Sequence, residues 1–127
     1  MFSILIVMQA SILIADDDYI SRLVLQKILE KNGYSVASVN NGLLAVEEFK
    51  RKEYQVVILD NNMPVMKGWQ AAHVLKGMGS TAKVIALTGS DSIENNTWFD
   101  AILVKPIHSN ALINTINRLL GRTGLKN

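Results

Sequence analysis

The chain has 127 residues, 49% of them apolar, enough to fill the core of one compact domain. Thirteen Lys and Arg against eleven Asp and Glu leave a formal charge of +2, too small and too evenly spread for a nucleic-acid footprint. The lack of Cys excludes a disulfide framework and a thiolate metal site, and His73 and His108 are too few for a histidine-rich one.

Residues 2–8 form an apolar run that is shorter than a spanning helix and lacks the basic start and small-residue cleavage site of a secretory signal. A soluble, cytoplasmic protein is expected. Within that run, Ser3-Ile4-Leu5-Ile6-Val7 nearly repeats Ser11-Ile12-Leu13-Ile14-Ala15, but Met8-Gln9-Ala10 follows the first copy where Asp16-Asp17-Asp18 follows the second. Only the second copy can build a polar site. Residues 1–10 therefore read as an extra segment, the tail of something preceding in preference to an added edge strand or an oligomer contact through strand addition.

Ser11–Ala15 is a continuous apolar run of the kind buried on both faces of a sheet. In Tyr19–Lys31, Ile20, Leu23, Val24, Ile28 and Leu29 follow helical spacing, and Asn32-Gly33 supplies the stop. Ser35–Val39 alternates weakly as a second strand, Asn40-Asn41-Gly42 turns, and residues 43–51 carry a helical face of Leu43, Val46 and Phe49. Residues 55–59 make a third buried strand ending at Asp60, followed by a helix with Trp69, Ala72 and Leu75 that Gly77 and Gly79 close. Residues 84–87 make a fourth strand ending at Thr88, residues 102–104 a fifth ending at Lys105, and residues 110–120 a final amphipathic helix before Gly121.

Strands alternating with helices imply a doubly wound α/β fold. Each parallel connection needs a crossover that packs back on the sheet, so a five-stranded parallel sheet should carry helices on both faces. Ligand chemistry is then expected beyond the C-terminal strand ends. The residues found there are Asp16, Asp17, Asp60, Thr88 and Lys105, all polar and all ending apolar runs. Three carboxylates on one sheet edge repel one another and raise each other's pKa unless a cation neutralises them, and hard oxygen ligands suit Mg²⁺. Asp60, at the end of the middle run, is a candidate nucleophile for phosphorus, with the metal offsetting charge on the entering phosphoryl oxygens. Lys105 can pair with one phosphoryl oxygen, the Thr88 hydroxyl can donate to another, and Gly89 leaves backbone room. Plainer readings stand beside these: Asp18 as a helix N-cap, Thr88 as a strand end, Lys105 as a solvated charge. His73 and His108 read as structural or exposed, and Trp69 and Trp98 as packing residues.

The segments Ile12-Leu13-Ile14-Ala15-Asp16-Asp17-Asp18, Leu59-Asp60-Asn61-Asn62-Met63-Pro64-Val65-Met66-Lys67-Gly68, Leu87-Thr88-Gly89 and Val104-Lys105-Pro106 resemble, in order, the motifs of response-regulator receivers. The resemblance covers about residues 11 to 121. It implies the flavodoxin-like receiver fold, with a receiver domain at residues 11–122 and a tail at 123–127. It further implies that Asp60 is the phosphoacceptor, that Asp16 (through water) and Asp17 hold Mg²⁺ with Asp60 and the Asn62 backbone carbonyl, and that Thr88 and Lys105 are the switch pair. By the same resemblance, phosphate comes from a sensor histidine kinase or a histidine phosphotransfer protein, and the receiver catalyses its own phosphorylation and dephosphorylation. Met63-Pro64-Val65-Met66 with Gly68, and the Ser21-Arg22 with Val24-Leu25 pattern, resemble receivers of hybrid histidine kinases. An excised receiver of that kind has no nucleic-acid or membrane partner within the chain; its oligomeric state stays open.

The pattern breaks in three places. Lys105 lies seventeen residues after Thr88, shorter than the usual interval of the family by more than a helical turn, so the fourth helix should be shortened or absent. Residues 90–97 should form a loop or single turn, with Trp98 and Phe99 plugging the gap. Ile102 stands where many receivers carry the switch aromatic, and Lys67 replaces a frequent acid before Gly68. The rivals are a degenerate receiver acting as a non-phosphorylated interaction module, and a haloacid-dehalogenase-like phosphotransferase. The latter needs a second acid where Asn62 stands. A flavodoxin-like nucleotide binder fits poorly, because three Asp would repel a phosphate.

Overall fold

The computed structural model describes residues 10–89 and 96–122. Most of the extra opening segment, residues 90–95 of the shortened connection and the tail from residue 123 lie outside the described residues. In chain order the elements are β1 Ser11–Ala15, α1 Tyr19–Lys31, β2 Ser35–Val39, α2 Gly42–Arg51, β3 Val56–Asp60, α3 Gly68–Gly77, β4 Lys83–Thr88, a 3-10 turn Asn96–Trp98, β5 Ala101–Val104 and α4 Ser109–Leu119. Strand and helix ends fall within a residue or two of the expected ones.

All five strands are parallel, in the order β2-β1-β3-β4-β5. The central strand, β3, is buried at every position, whereas the edge strands β2 and β5 are only partly covered. This is why Ser35–Val39 tolerates two serines and shows so weak an apolar pattern. Side chains alternate across the sheet. Ile12, Ile14, Val56, Ile58, Ile85 and Leu87 pack with Leu25 and Leu29 of α1 and Leu112 and Ile116 of α4. Leu13, Ala15, Val57, Leu59 and Val84 pack on the other face with Ala45 and Val46 of α2 and Ala71, Ala72 and Leu75 of α3. The sheet is thus covered on both sides, as the alternation of elements requires.

Two helix faces differ from expectation. In α1 the buried pair is Leu25 and Leu29, while Ile20 and Val24 are 61% and 51% exposed. In α2 Ala45 and Val46 face the sheet and Leu43 is 44% exposed. Periodicity alone does not say which of two adjacent apolar stripes meets the sheet; here the close helix–sheet contact in α2 selects the smaller residue, Ala45. The Asp18 N-cap is as expected: its carboxylate accepts from the Ser21 N–H at 3.2 Å and the Ser21 hydroxyl at 2.8 Å.

Between β4 and β5 the described residues hold only the 3-10 turn. Trp98 and Phe99 are half-buried against the α2/α3-side core, and the Trp98 ring stacks on His73 of α3 with centroids 4.4 Å apart. Asp100 fastens the turn: its carboxylate accepts from the Val84 N–H at 2.8 Å and from Lys76 Nζ at 3.0 Å, and its own N–H donates to the Val84 carbonyl at 2.7 Å. Among the described residues no helix is long and apolar enough to cross a membrane.

The β3–α3 connection is tight. Val65 is the one non-glycine residue with positive φ among those described (72°), and the Gly68 N–H donates to the Asn61 carbonyl at 3.3 Å. A Cβ on Gly68 would lie 2.7 Å from the Asp60 carbonyl oxygen and 2.9 Å from Asn61 Cα, both rigid backbone atoms. Gly68→Ala should therefore lower stability by about 2 kcal/mol in urea denaturation, because the start of α3 must move off the end of β3. Gly77→Ala, whose Cβ would meet nothing within 4 Å, should leave the midpoint unchanged or slightly raised.

Candidate functional site

The strand registers bring the polar residues together. Leu59 pairs with Ala15 and Asp60 with Leu87, so Asp16, one residue beyond β1, lies beside Asp60 at the end of β3. Thr88 pairs with Val104, and the Lys105 N–H donates to the Thr88 carbonyl at 2.7 Å, which sets Lys105 at the same edge. Asp16, Asp60 and Thr88 are buried, Lys105 is half-buried, and Asp17 and Asn62 are exposed. Each of Asp16, Asp17 and Asp60 offers a carboxylate oxygen such that these atoms all lie within 4.8 Å of one another.

Local hydrogen bonds aim the two buried acids. Asp16 Oδ1 accepts from the Asp18 N–H at 2.9 Å, and Asp60 Oδ1 accepts from the Asn62 N–H at 3.0 Å. Their other oxygens face Lys105, whose Nζ lies 3.3 Å from Asp60 Oδ2 and 3.7 Å from Asp16 Oδ2. Asp16 Oδ2 is buried and has no hydrogen-bond partner. Burial pushes the Asp16 carboxyl up to about 6, and the nearby Asp60 charge adds to the rise, against the Asp18 N–H and Lys105, which lower it. Lys105 responds in the opposite sense: burial pulls it down, but the charges of Asp60 and Asp16 outweigh this and hold it above the ordinary lysine range.

One ammonium thus faces two of three clustered carboxylates, and one carboxylate oxygen is buried without a donor. The donor set is all oxygen, suits a hard divalent cation, and leaves the excess negative charge and the orphaned acceptor that such an ion would satisfy. All six sequence-selected residues (Asp16, Asp17, Asp60, Asn62, Thr88 and Lys105) lie at this edge. His73, stacked on Trp98, and His108, exposed ahead of α4, lie elsewhere. A Cβ at Gly89 would meet nothing within 4 Å, so the fold itself does not demand glycine there. Two features went unread in the sequence. Ile20 and Val24 line an apolar groove of about 210 Å³ with Pro106 and Ile107, reaching Asp16 and Lys105. Arg22 folds back over the acidic loop, its Nη1 donating to the Asp16 carbonyl at 2.8 Å.

Comparison with known proteins agrees with this geometry. Residues 12–117 match the family model of the response regulator receiver domain. The response regulator receiver protein CpdR of Brucella abortus is 33% identical over 114 residues, which cover 86% of this chain and 95% of CpdR. The autoinducer 1 sensor kinase/phosphatase LuxN of Vibrio campbellii is 31% identical over 116 residues; the match takes in 88% of this chain but only 14% of the length of LuxN. Among solved structures, the response regulator TrrA of Thermotoga maritima in complex with Mg(2+)-BeF is 30% identical with a TM-score of 0.82, over 88% of this chain and 99% of that one.

The raised Asp16 carboxyl has a stability consequence whose sign is fixed. Its folded value, about 6, exceeds its ordinary 3.8, so the folded state binds the extra proton and loses that stabilisation as pH rises through 6. Without divalent metal, Asp16→Asn should therefore raise the thermal midpoint by several degrees at about pH 8 and by little at about pH 4, an effect on the order of 2 kcal/mol. Paired thermal melts in EDTA at the two pH values measure it.

Proposed function

Because the chain belongs to the response regulator receiver family, we propose that it is a working phosphoacceptor, taking a phosphoryl group on Asp60 from a phosphohistidine donor in a two-component phosphorelay. The observation that carries this reading is the placement of Asp60 within 3.3 Å of Lys105 and beside Asp16 and Asp17 at the mouth of the sheet. A carboxylate held between a cation and an acidic cluster fits a nucleophile for phosphorus better than a structural acid.

In this reading a carboxylate oxygen of Asp60 forms the new bond to phosphorus as the bond to the donor's imidazole nitrogen breaks, the electron pair staying on nitrogen. Asp16, Asp17, Asp60 and the Asn62 carbonyl are the groups that would hold Mg²⁺. When bound, the ion supplies the positive charge that offsets the entering phosphoryl oxygens. Lys105, already aimed at Asp60, pairs with a phosphoryl oxygen, and the Thr88 hydroxyl on the adjacent strand donates to another. Release follows by attack of water on phosphorus, returning Asp60 and inorganic phosphate. The partner is a sensor histidine kinase or a histidine phosphotransfer protein, in the cytoplasm. Similarity to a short part of LuxN supports a place in a hybrid kinase, and near-complete overlap with CpdR supports a stand-alone regulator. Either uses the same acceptor.

Intact mass after incubation with acetyl phosphate or phosphoramidate tests the proposal. A Mg²⁺-dependent gain of one phosphoryl group is expected on the wild type and none on Asp60→Asn, while Asp17→Ala should need markedly more Mg²⁺ for the same gain. A wild type that binds Mg²⁺ but gains no mass would favour the degenerate, non-phosphorylated module. An adduct retained in Asp60→Asn would place the acceptor elsewhere.

A further inference from the structure

Asp16 and Asp60 are each tied by a backbone N–H, from Asp18 and Asn62. Asp17 has no such tie: it is exposed, and among the described residues no hydrogen bond or ion pair holds its carboxylate. What the fold fixes of its position is the path of its main chain. The peptide unit that leads into Asp17 is planar and includes the Asp16 carbonyl, so whatever fixes that carbonyl fixes the path of the chain into Asp17. Arg22 does this. From the first turn of α1 its Nη1 donates to the Asp16 carbonyl at 2.8 Å, while the Asp16 N–H donates to the Val39 carbonyl at 3.2 Å. The residue is gripped on both sides of its Cα. Arg22 is half-buried, and its guanidinium carbon lies 5.6 Å from the centre of the Tyr19 ring, a cation–π contact that helps hold it over the loop.

We infer that Arg22 is a positioning residue for the acidic site: by holding the Asp16–Asp17 peptide it keeps the Asp17 carboxylate within reach of Asp16 and Asp60, and so sets the affinity for divalent metal. The inference rests on the reading of Asp16, Asp17 and Asp60 as the metal-holding acids. It has a sign that charge alone would not give. Arg22 is a second cation near the cluster, and if its field were what mattered, removing it would tighten the binding of a divalent cation. Removing a hydrogen bond that orients a ligand does the reverse, weakening metal affinity by about tenfold or more.

Isothermal titration of the full chain with MgCl₂, at a pH where Asp16 is ionised, separates the two. Arg22→Ala and Arg22→Met, the second keeping an apolar stem against the loop, should bind Mg²⁺ about tenfold more weakly than the wild type. Arg22→Lys, which keeps a donor that can reach the carbonyl, should recover most of the affinity. Thermal midpoints in EDTA should differ little among the four, which a merely structural role would not allow. With acetyl phosphate, the variants should need more Mg²⁺ for half-maximal labelling of Asp60 but label at the wild-type rate once Mg²⁺ saturates. Equal or tighter Mg²⁺ binding by Arg22→Ala and Arg22→Met would overturn the inference. Failure of the wild type itself to bind Mg²⁺ would instead overturn the metal-site reading beneath it.

Discussion

Like charges forced together at the open edge of a parallel sheet are the constraint on which the rest of the molecule turns. β1 and β3 must pair in register to bury Ile12, Ile14, Val56 and Ile58 on one face and Leu13, Val57 and Leu59 on the other. That pairing leaves no freedom in where the chain goes next: Asp16 and Asp60 emerge side by side, with Asp17 beside them. Apolar burial, the dominant favourable term in folding, holds together groups that would separate if free. The cost appears in the Asp16 carboxyl, driven up to about 6 chiefly by burial, and in a buried oxygen with no donor. Lys105 offsets part of it, and a site left short of positive charge is one prepared to take more.

The support around this edge is built from backbone. Asp16 is held through its own amide and carbonyl by Val39 and Arg22, Lys105 is tied to Thr88 by a strand-like hydrogen bond, and the loop after Asp60 closes because Gly68 brings α3 against the end of β3. Such ties keep side chains aimed without occupying the oxygens that chemistry needs. The same economy marks the far side of β4. Among the described residues between β4 and β5, a 3-10 turn, the Trp98–His73 stack and the Asp100 carboxylate on Val84 and Lys76 cover the sheet with few residues.

Much of this is legible in the sequence, for a physical reason. Runs such as Ile12-Leu13-Ile14-Ala15 and Val56-Val57-Ile58-Leu59 are apolar at consecutive positions because both faces are covered, and their abrupt ends in Asp16 and Asp60 mark the sheet edge. Five of the six candidate residues follow from those ends, and Asn62 from the resemblance to receivers. Helix orientation is less legible: Ile20, Val24 and Leu43 are as apolar as core residues, yet they face a groove or solvent because Leu25, Ala45 and Val46 fit the sheet more closely. The roles of Gly68, Asp100 and Arg22 depend on distances between chain segments, so close in the first case that an added Cβ would lie 2.7 Å from a carbonyl oxygen, and no local pattern announces such distances.

The central claim is that the acidic edge is a metal site built around a nucleophilic Asp60. The most direct measurement is a crystal structure grown with Mn²⁺ in place of Mg²⁺, with the ion located by its anomalous scattering. The account predicts one strong peak at the sheet edge, within bonding distance of carboxylate oxygens of Asp17 and Asp60, with the Lys105 ammonium alongside. No peak there at saturating Mn²⁺, with Lys105 still closing Asp16 and Asp60 together, would contradict it.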